Sequence, residues 1–270
     1  MFTSQIGANE PVIDDDNYEQ HVTETAGMPR GRDPRNYRST PEGALPGASR
    51  FNAQIIPRSE WVARIQGQEQ RKIRPSDIAK RRGLKPLNQA NTNYCWCNAV
   101  VMAVMVIRAF SNLFYVLLSP ASVAAVVKNF RNVGGWGGEA LEYIVENGVA
   151  PQTLWPPNAI NRRYYTDEVR AEARNYRVTE WWELSPRNFD QLATCLLMGI
   201  PVAIGLNWWS HEVLAMDLVY LGKDAFGRDK FGVRILNSWG EGYGEGGYAI
   251  LSESKATPDD AVAPRYMTAA

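Results

Sequence analysis

Between Cys95 and Ile107 the chain carries apolar side chains at nearly every position, and this run constrains the fold more than any other. Trp96, Ala99, Val100, Ala103, Val104 and Ile107 form one broad helical face, while Val101, Met105 and Val106 fill most of the rest. A helix that is apolar all round has no face to give to water. It belongs at the centre of a core, with other elements wrapped around it. Its uninterrupted stretch, Ala99 to Ile107, stops at Arg108 and falls short of the roughly 18 apolar residues of a membrane span.

The elements that would wrap it can be read from caps and periodicity. Ser59-Glu60 before Trp61 and Ile65 predicts a short capped helix, and Ser76-Asp77 starts a second one that Lys80-Arg81-Arg82-Gly83 ends. Ser119-Pro120 opens a helix over Ala121 to Phe130, and the Gly134–Gly138 run precedes another over Glu139 to Asn147. Thr166-Asp167-Glu168 caps one more, and Ser185-Pro186 is expected to start a helix running to Met198. Strand signals lie at Val178 to Leu184, Pro201 to Leu206, Glu212 to Leu221, Phe231 to Leu236 and Gly247 to Leu251. The first half is therefore mostly helical and the second mainly antiparallel sheet. No repeat relates the halves, so an α+β fold is expected, with a helical lobe, a sheet lobe and a groove between them.

Residues 1–57 have a different character. Pro11, Pro29, Pro34, Pro41 and Pro46 are spread among Gly, Asn, Asp and Arg with almost no apolar period, which reads as an extended arm or a tail. The domain expectation is thus an arm over 1–57 and a folded body over 58–270, with the helical lobe at about 76–160 and the sheet lobe at about 161–260. With 29 basic and 29 acidic residues the chain is formally neutral, so neither nucleic acid nor a membrane is an expected partner. Three cysteines in 270 residues argue against a disulfide framework and for a reducing compartment. The first seven residues carry no secretory signal, so a cytoplasmic location is expected. No metal or cofactor is expected either.

Chemistry concentrates in three separate places. Cys95 stands at the start of the apolar helix, where free N–H groups and the helix dipole favour a thiolate. Gln89, six residues earlier on a non-helical approach, can bend its amide back beside the thiol and, with the Cys95 backbone N–H, donate to a developing oxyanion. His211 opens a strand and is a suitable base; its one rival, His21, lies in the arm. Asn237 can fix the imidazole, and Trp239 can shield their bond from water. Taken singly, a cysteine is more often inert packing and an asparagine more often a turn. The ordered set of thiol, amide donor, base and orienting group makes a nucleophilic mechanism.

This order resembles the papain-like cysteine peptidases. The matching pieces are Gln89 with Cys95-Trp96, Gly134-Gly135, His211-Glu212-Val213-Leu214, and Asn237-Ser238-Trp239-Gly240 followed by Gly247-Tyr248. They span residues 76 to 251. The resemblance implies a papain-like two-lobe fold and a polypeptide substrate, with Cys95 as nucleophile, His211 as base, Asn237 as orienting residue and Gln89 as oxyanion donor. It also implies that Gly134 and Gly135 pair with an extended substrate backbone and that Trp136 walls a specificity pocket, with Ser210, Glu212 and Trp239 near the substrate. If Glu212 faces that pocket, it would favour a basic or hydrogen-bonding side chain.

The departures are informative as well. Thr92 stands where the family usually has a cysteine, and that cysteine's usual partner before the Gly-Gly pair is absent too, in keeping with a reducing compartment. Cys97 and Cys195 are expected to be packing residues. Only Asn207–Ser210 separate the strand signal at Pro201 to Leu206 from His211, so the sheet lobe should be compact and lack part of the leaving-group side of the cleft. Amidase or transpeptidase chemistry would use the same residues. A different class of function is a phage virion or assembly protein whose arm binds neighbouring subunits.

Overall fold

A computed structural model describes residues 2–111 and 113–267. The apolar run becomes helix α4 (Cys95–Phe110), in which every side chain from Cys95 to Ala109 is buried. Helices α3 (Pro75–Arg81), α5 (Ala121–Val127) and α6 (Gly137–Asn147) pack against it, and one face of a sheet closes the remaining side. Each fully buried Val, Leu or Met in such a helix contributes about 1.5–3 kcal/mol of transfer free energy, so the helix is a principal anchor of the core.

The sheet has the order β1-β7-β6-β5-β4-β8-β3-β2. Its strands are β1 (Val12–Ile13), β2 (Ala48–Arg50), β3 (Val178–Leu184), β4 (Val202–Leu206), β5 (His211–Lys223), β6 (Asp229–Leu236), β7 (Tyr248–Ser252) and β8 (Asp260–Met267). The six inner strands pair antiparallel. Both faces are covered. Ala203, Leu214 and Met216 join the α4 core, while the alternate residues Val202, Ile204, Val213 and Ala215 join a second core under α2 (Arg58–Arg71) and α8 (Phe189–Leu197). Burial on two faces is why these strands read as continuous apolar runs rather than as an alternation. The remaining helices are α1 (Tyr18–Glu24), α7 (Asp167–Ala173) and α9 (Glu253–Ala256). Among the described residues no helix is long and apolar enough to cross a membrane.

Several boundaries differ from the sequence expectation. Helix α2 has 14 residues rather than a few and begins after Pro57, because Gln68 on its third turn is also buried and donates to the carbonyls of Leu196 and Leu197. Helix α8 is capped by Asn188, whose side chain accepts from Gln191 N at 3.0 Å; Ser185-Pro186 only leads into that turn. Helix α5 stops at Val127, since Asn129 and Phe130 take left-handed backbone angles. Strand β8 was not legible: Pro258 precedes it and Pro264 interrupts it, and Pro264 is tolerated where the pairing with β3 shifts register.

The N-terminal 57 residues carry α1 and both outermost strands. β1 pairs parallel with β7 at one edge, and β2 pairs parallel with β3 at the other. The ends are tied down further. Tyr220 N donates to Ser4 Oγ at 2.9 Å, and the buried Arg234 guanidinium bonds Glu10, Asp217 and the Gln5 carbonyl. The chain between β1 and β2 must therefore cross from one sheet edge to the other. It does so over the groove between the lobes.

Candidate active site

Four residues placed by four different elements meet at the head of α4. Cys95 is its first residue, and its thiol lies against the backbone N–H groups of Trp96 and of Glu212, the second residue of β5. His211, the first residue of β5, is fully buried. Asn237 follows β6, and its Oδ1 accepts from Ser238 N at 2.7 Å, which fixes the amide orientation. The same oxygen lies 2.8 Å from His211 Nε2, so Nε2 must be the donor in that bond. The neutral ring is thereby protonated on Nε2, leaving a lone pair on Nδ1. That nitrogen has no hydrogen-bond partner among the described residues and is the one able to take a thiol proton.

Trp239 stacks on the imidazole with ring centroids 4.6 Å apart and planes 25° from parallel, covering the His211–Asn237 bond. Trp209 meets the same imidazole edge-on at 5.0 Å. Gln89 is oriented from both ends: Ser238 Oγ donates to its Oε1 at 2.6 Å, and its Nε2 donates to Thr92 O at 2.8 Å. The segment before the helix is thus locked to the segment after β6, which fixes the Gln89 amide ahead of the head of α4.

The cleft is not open. Residues 29–33 thread it as an extended strap. Trp239 Nε1 donates to Pro29 O at 2.8 Å, and Gln89 Nε2 donates to Arg30 O at 3.1 Å. Gly135 N donates to Gly31 O at 2.9 Å, and Asp33 N to Gly135 O at 2.8 Å, so Arg32 and Gly135 form an isolated parallel bridge. Gly31 sits at φ +123°, where a Cβ would fall 2.2 Å from the Asn93 carbonyl oxygen. Only glycine passes there. Upstream, α1 lies on the aromatic wall: His21 meets the Trp209 ring at 5.0 Å and the Tyr243 ring at 6.0 Å, and Tyr18 meets Trp208 at 5.8 Å.

Burial under the strap sets the electrostatics. Lack of solvent pushes the Cys95 thiol far up, and the Glu212 carboxyl adds to this; the nearby N–H groups and the Arg32 cation act the other way and are outweighed. Lack of solvent also lowers His211 to about 3, with Arg30 and His21 adding to the shift and the Asn237 bond opposing it. The expected thiolate is therefore not the form held here. The helix dipole favours it, but a closed cleft costs more than the dipole supplies, and thiol and imidazole rest uncharged.

The other sequence-derived site residues fall as follows. Gly134 touches the strap, since a Cβ on it would lie 2.6 Å from Asp33 Oδ1. Trp136 is buried just before α6, and the Arg35 guanidinium stands 4.6 Å over its ring. Glu212 is fully buried and its Oε2 accepts from Gly137 N at 3.2 Å, so it faces inward, away from solvent. Ser210 is exposed at φ +50°, closing the 3-10 turn Asn207–Trp209 just before His211. Cys97 donates to Pro120 O at 3.3 Å and Cys195 is buried in α8; both are packing residues, and all three cysteines are free. Sequence reasoning missed Arg30, Arg32, Asn207 and Asp260. The one available signal was the Pro29-Arg30-Gly31-Arg32-Asp33-Pro34 run, two cations bracketing a glycine inside an otherwise featureless arm.

Comparison with known proteins agrees with this arrangement. No family model matches the chain. Ananain from Ananas comosus is 28% identical over 182 residues, covering 61% of this chain and 51% of its own length. Xylellain, a cysteine protease from Xylella fastidiosa, superposes with a TM-score of 0.56 at 18% identity, over 83% of this chain and 97% of that one. A recombinant stem bromelain precursor gives 0.56 at 17%, over 94% and 89%. The chain thus has a papain-like fold and is similar in sequence to papain-like cysteine proteases. It spans about half the length of the curated relatives it matches.

Proposed function

We propose that the chain is a cysteine endopeptidase whose cleft is held closed by its own N-terminal strap. One observation carries the reading: the Gln89 amide, six residues before Cys95, already donates to the carbonyl of a peptide lying extended in the cleft. A substrate carbonyl delivered to the same donor would stand next to the thiol. Cys95 would give its proton to His211 Nδ1 and its sulfur would bond to the carbonyl carbon, placing negative charge on the oxygen facing Gln89. The protonated imidazole, held by Asn237, would pass that proton to the leaving amine as the C–N bond breaks. Water, deprotonated by the same nitrogen, would then release the acyl group and restore the thiol.

The strap's position favours self-inhibition over a role in which the arm docks on neighbouring subunits. It fills the groove of its own chain, keeps the catalytic pair dry and uncharged, and is anchored at both ends. Three free cysteines fit action in a reducing compartment. The test uses the full chain carrying Arg32→Glu, which sets a carboxylate against Asp260 and should eject the strap. Hydrolysis of an unfolded protein substrate is expected from this variant and not from the same variant with Cys95→Ala. Equal hydrolysis by both would overturn the assignment.

A further inference from the structure

The strap reports what the cleft is built to hold. Arg32, whose backbone neighbours pair with Gly135, turns its side chain inward until it is 1% exposed. There the guanidinium donates to Asp260 and to Asn207. Gly205 supplies the space: a Cβ at that position would lie 2.3 Å from Arg32 Nε and 2.4 Å from Asp260 Oδ1. Glu212, fully buried beside the nucleophile, adds a second carboxyl that feels the Arg32 cation. The buried Asp260 carboxyl, an amide oxygen and a missing side chain form a slot matched to one planar cation, with the Glu212 carboxyl close enough to feel its charge.

Nothing about this slot depends on the strap's being covalently part of the chain. Gly135 offers one N–H and one C=O to any extended peptide in the cleft, and the residue bridged to it presents its side chain to the slot. Once the strap leaves, the buried Asp260 carboxyl loses its donor, which is unfavourable in a buried site. We propose that this slot is the specificity pocket for substrate, selecting peptides with arginine at the residue bridged to Gly135, and that Arg32 occupies it as a built-in substitute. The proposal rests on the endopeptidase reading for its substrate and on the slot alone for its chemistry, and the two are tested separately.

The slot is tested in the full chain with Arg32→Ala, which empties it. Methylguanidinium at low millimolar concentration should raise the melting temperature of this variant by roughly 2–4 °C, by ordinary ligand linkage. It should leave the wild type, whose slot is filled, unchanged. Adding Asp260→Asn, or Glu212→Gln if that double variant does not fold, should abolish the rise. An equal shift in wild type and Arg32→Ala, or a shift indifferent to both carboxyl changes, would overturn the slot.

Substrate choice is read in the same Arg32→Ala chain with peptides identical except for Arg, Lys, Leu or Glu at one position. The Arg peptide should exceed the Leu peptide by at least about tenfold in kcat/KM, and Asp260→Asn or Glu212→Gln should shrink that ratio to within about threefold. A Leu preference, or an Arg preference untouched by both changes, would overturn the assignment. Methylguanidinium binding without cleavage of any peptide would instead sink the endopeptidase reading and leave the slot standing.

Discussion

At the scale of single residues, the site turns on a proton inventory. Ser238 N fixes the Asn237 oxygen, the oxygen fixes the His211 tautomer, and the tautomer leaves the free lone pair on Nδ1, the base of the proposed mechanism. Asn237 therefore acts through the ring rather than on substrate. Asn237→Ala in a strap-displaced chain should lower kcat by roughly tenfold or more while KM changes little, as steady-state kinetics would show. The pH dependence follows from the lowered imidazole. His211 ordinarily titrates near 6.5 and is held to about 3 in the closed form. Between those values the open or unfolded chain binds a proton that the closed chain refuses. The closed form is thus fully stable above pH 6.5 and loses roughly 1 kcal/mol per pH unit as pH falls toward 3. Half-buried His21, lowered mainly by loss of solvent, adds in the same direction. Thermal unfolding from pH 7.5 to 4 should show this slope, and His211→Gln should flatten it; an unchanged slope would remove His211 from the account.

At the scale of elements, what the sequence made legible was what a local rule governs. Helix α4 follows from its all-round apolarity, and β4 to β7 follow from apolar runs between Gly and Asn turns. Gln89, Cys95, His211 and Asn237 were found through the residue types flanking them. The strap was not legible, because its order comes from partners far away in sequence. Pro29 to Asp33 adopt an extended path only because Trp239, Gln89 and Gly135 supply its hydrogen bonds. Asp260 and Asn207 were missed for the same reason: a carboxyl at the start of β8 and an amide in a turn gain meaning only when Arg32 lies between them. The strap's weakest tolerance is at Gly31, where a Cβ meets the Asn93 carbonyl. Gly31→Ala should unseat the strap and accelerate alkylation of Cys95 by at least about tenfold, by linkage to an opened cleft, while the far-ultraviolet circular dichroism stays that of the wild type. Alkylation at the wild-type rate would mean that the strap does not limit access.

At the scale of the whole molecule, the N-terminal segment behaves as a closure built into the fold. Strand β1 lies on one edge of the sheet and β2 on the other, so the strap between them is tethered on both sides and cannot leave as a free end would. One tether is ionic. Arg234, Glu10 and Asp217 form a buried network joining the first residues to β5 and β6. Glu10→Gln should cost about 2 kcal/mol in chemical denaturation, since a charge-assisted pair is lost while Asp217 still holds Arg234. A change within the error of the measurement would show that the tether carries no weight.

Active-site titration of the strap-displaced full chain with a thiol-directed epoxide, with the modified residue mapped by mass spectrometry, decides whether Cys95 carries the hydrolysis. Modification is expected at Cys95 and not at Cys97 or Cys195, with peptide hydrolysis falling in proportion to the fraction of Cys95 modified. Hydrolysis that persists when Cys95 is fully modified, or that is lost while Cys95 stays free, would contradict that role for Cys95.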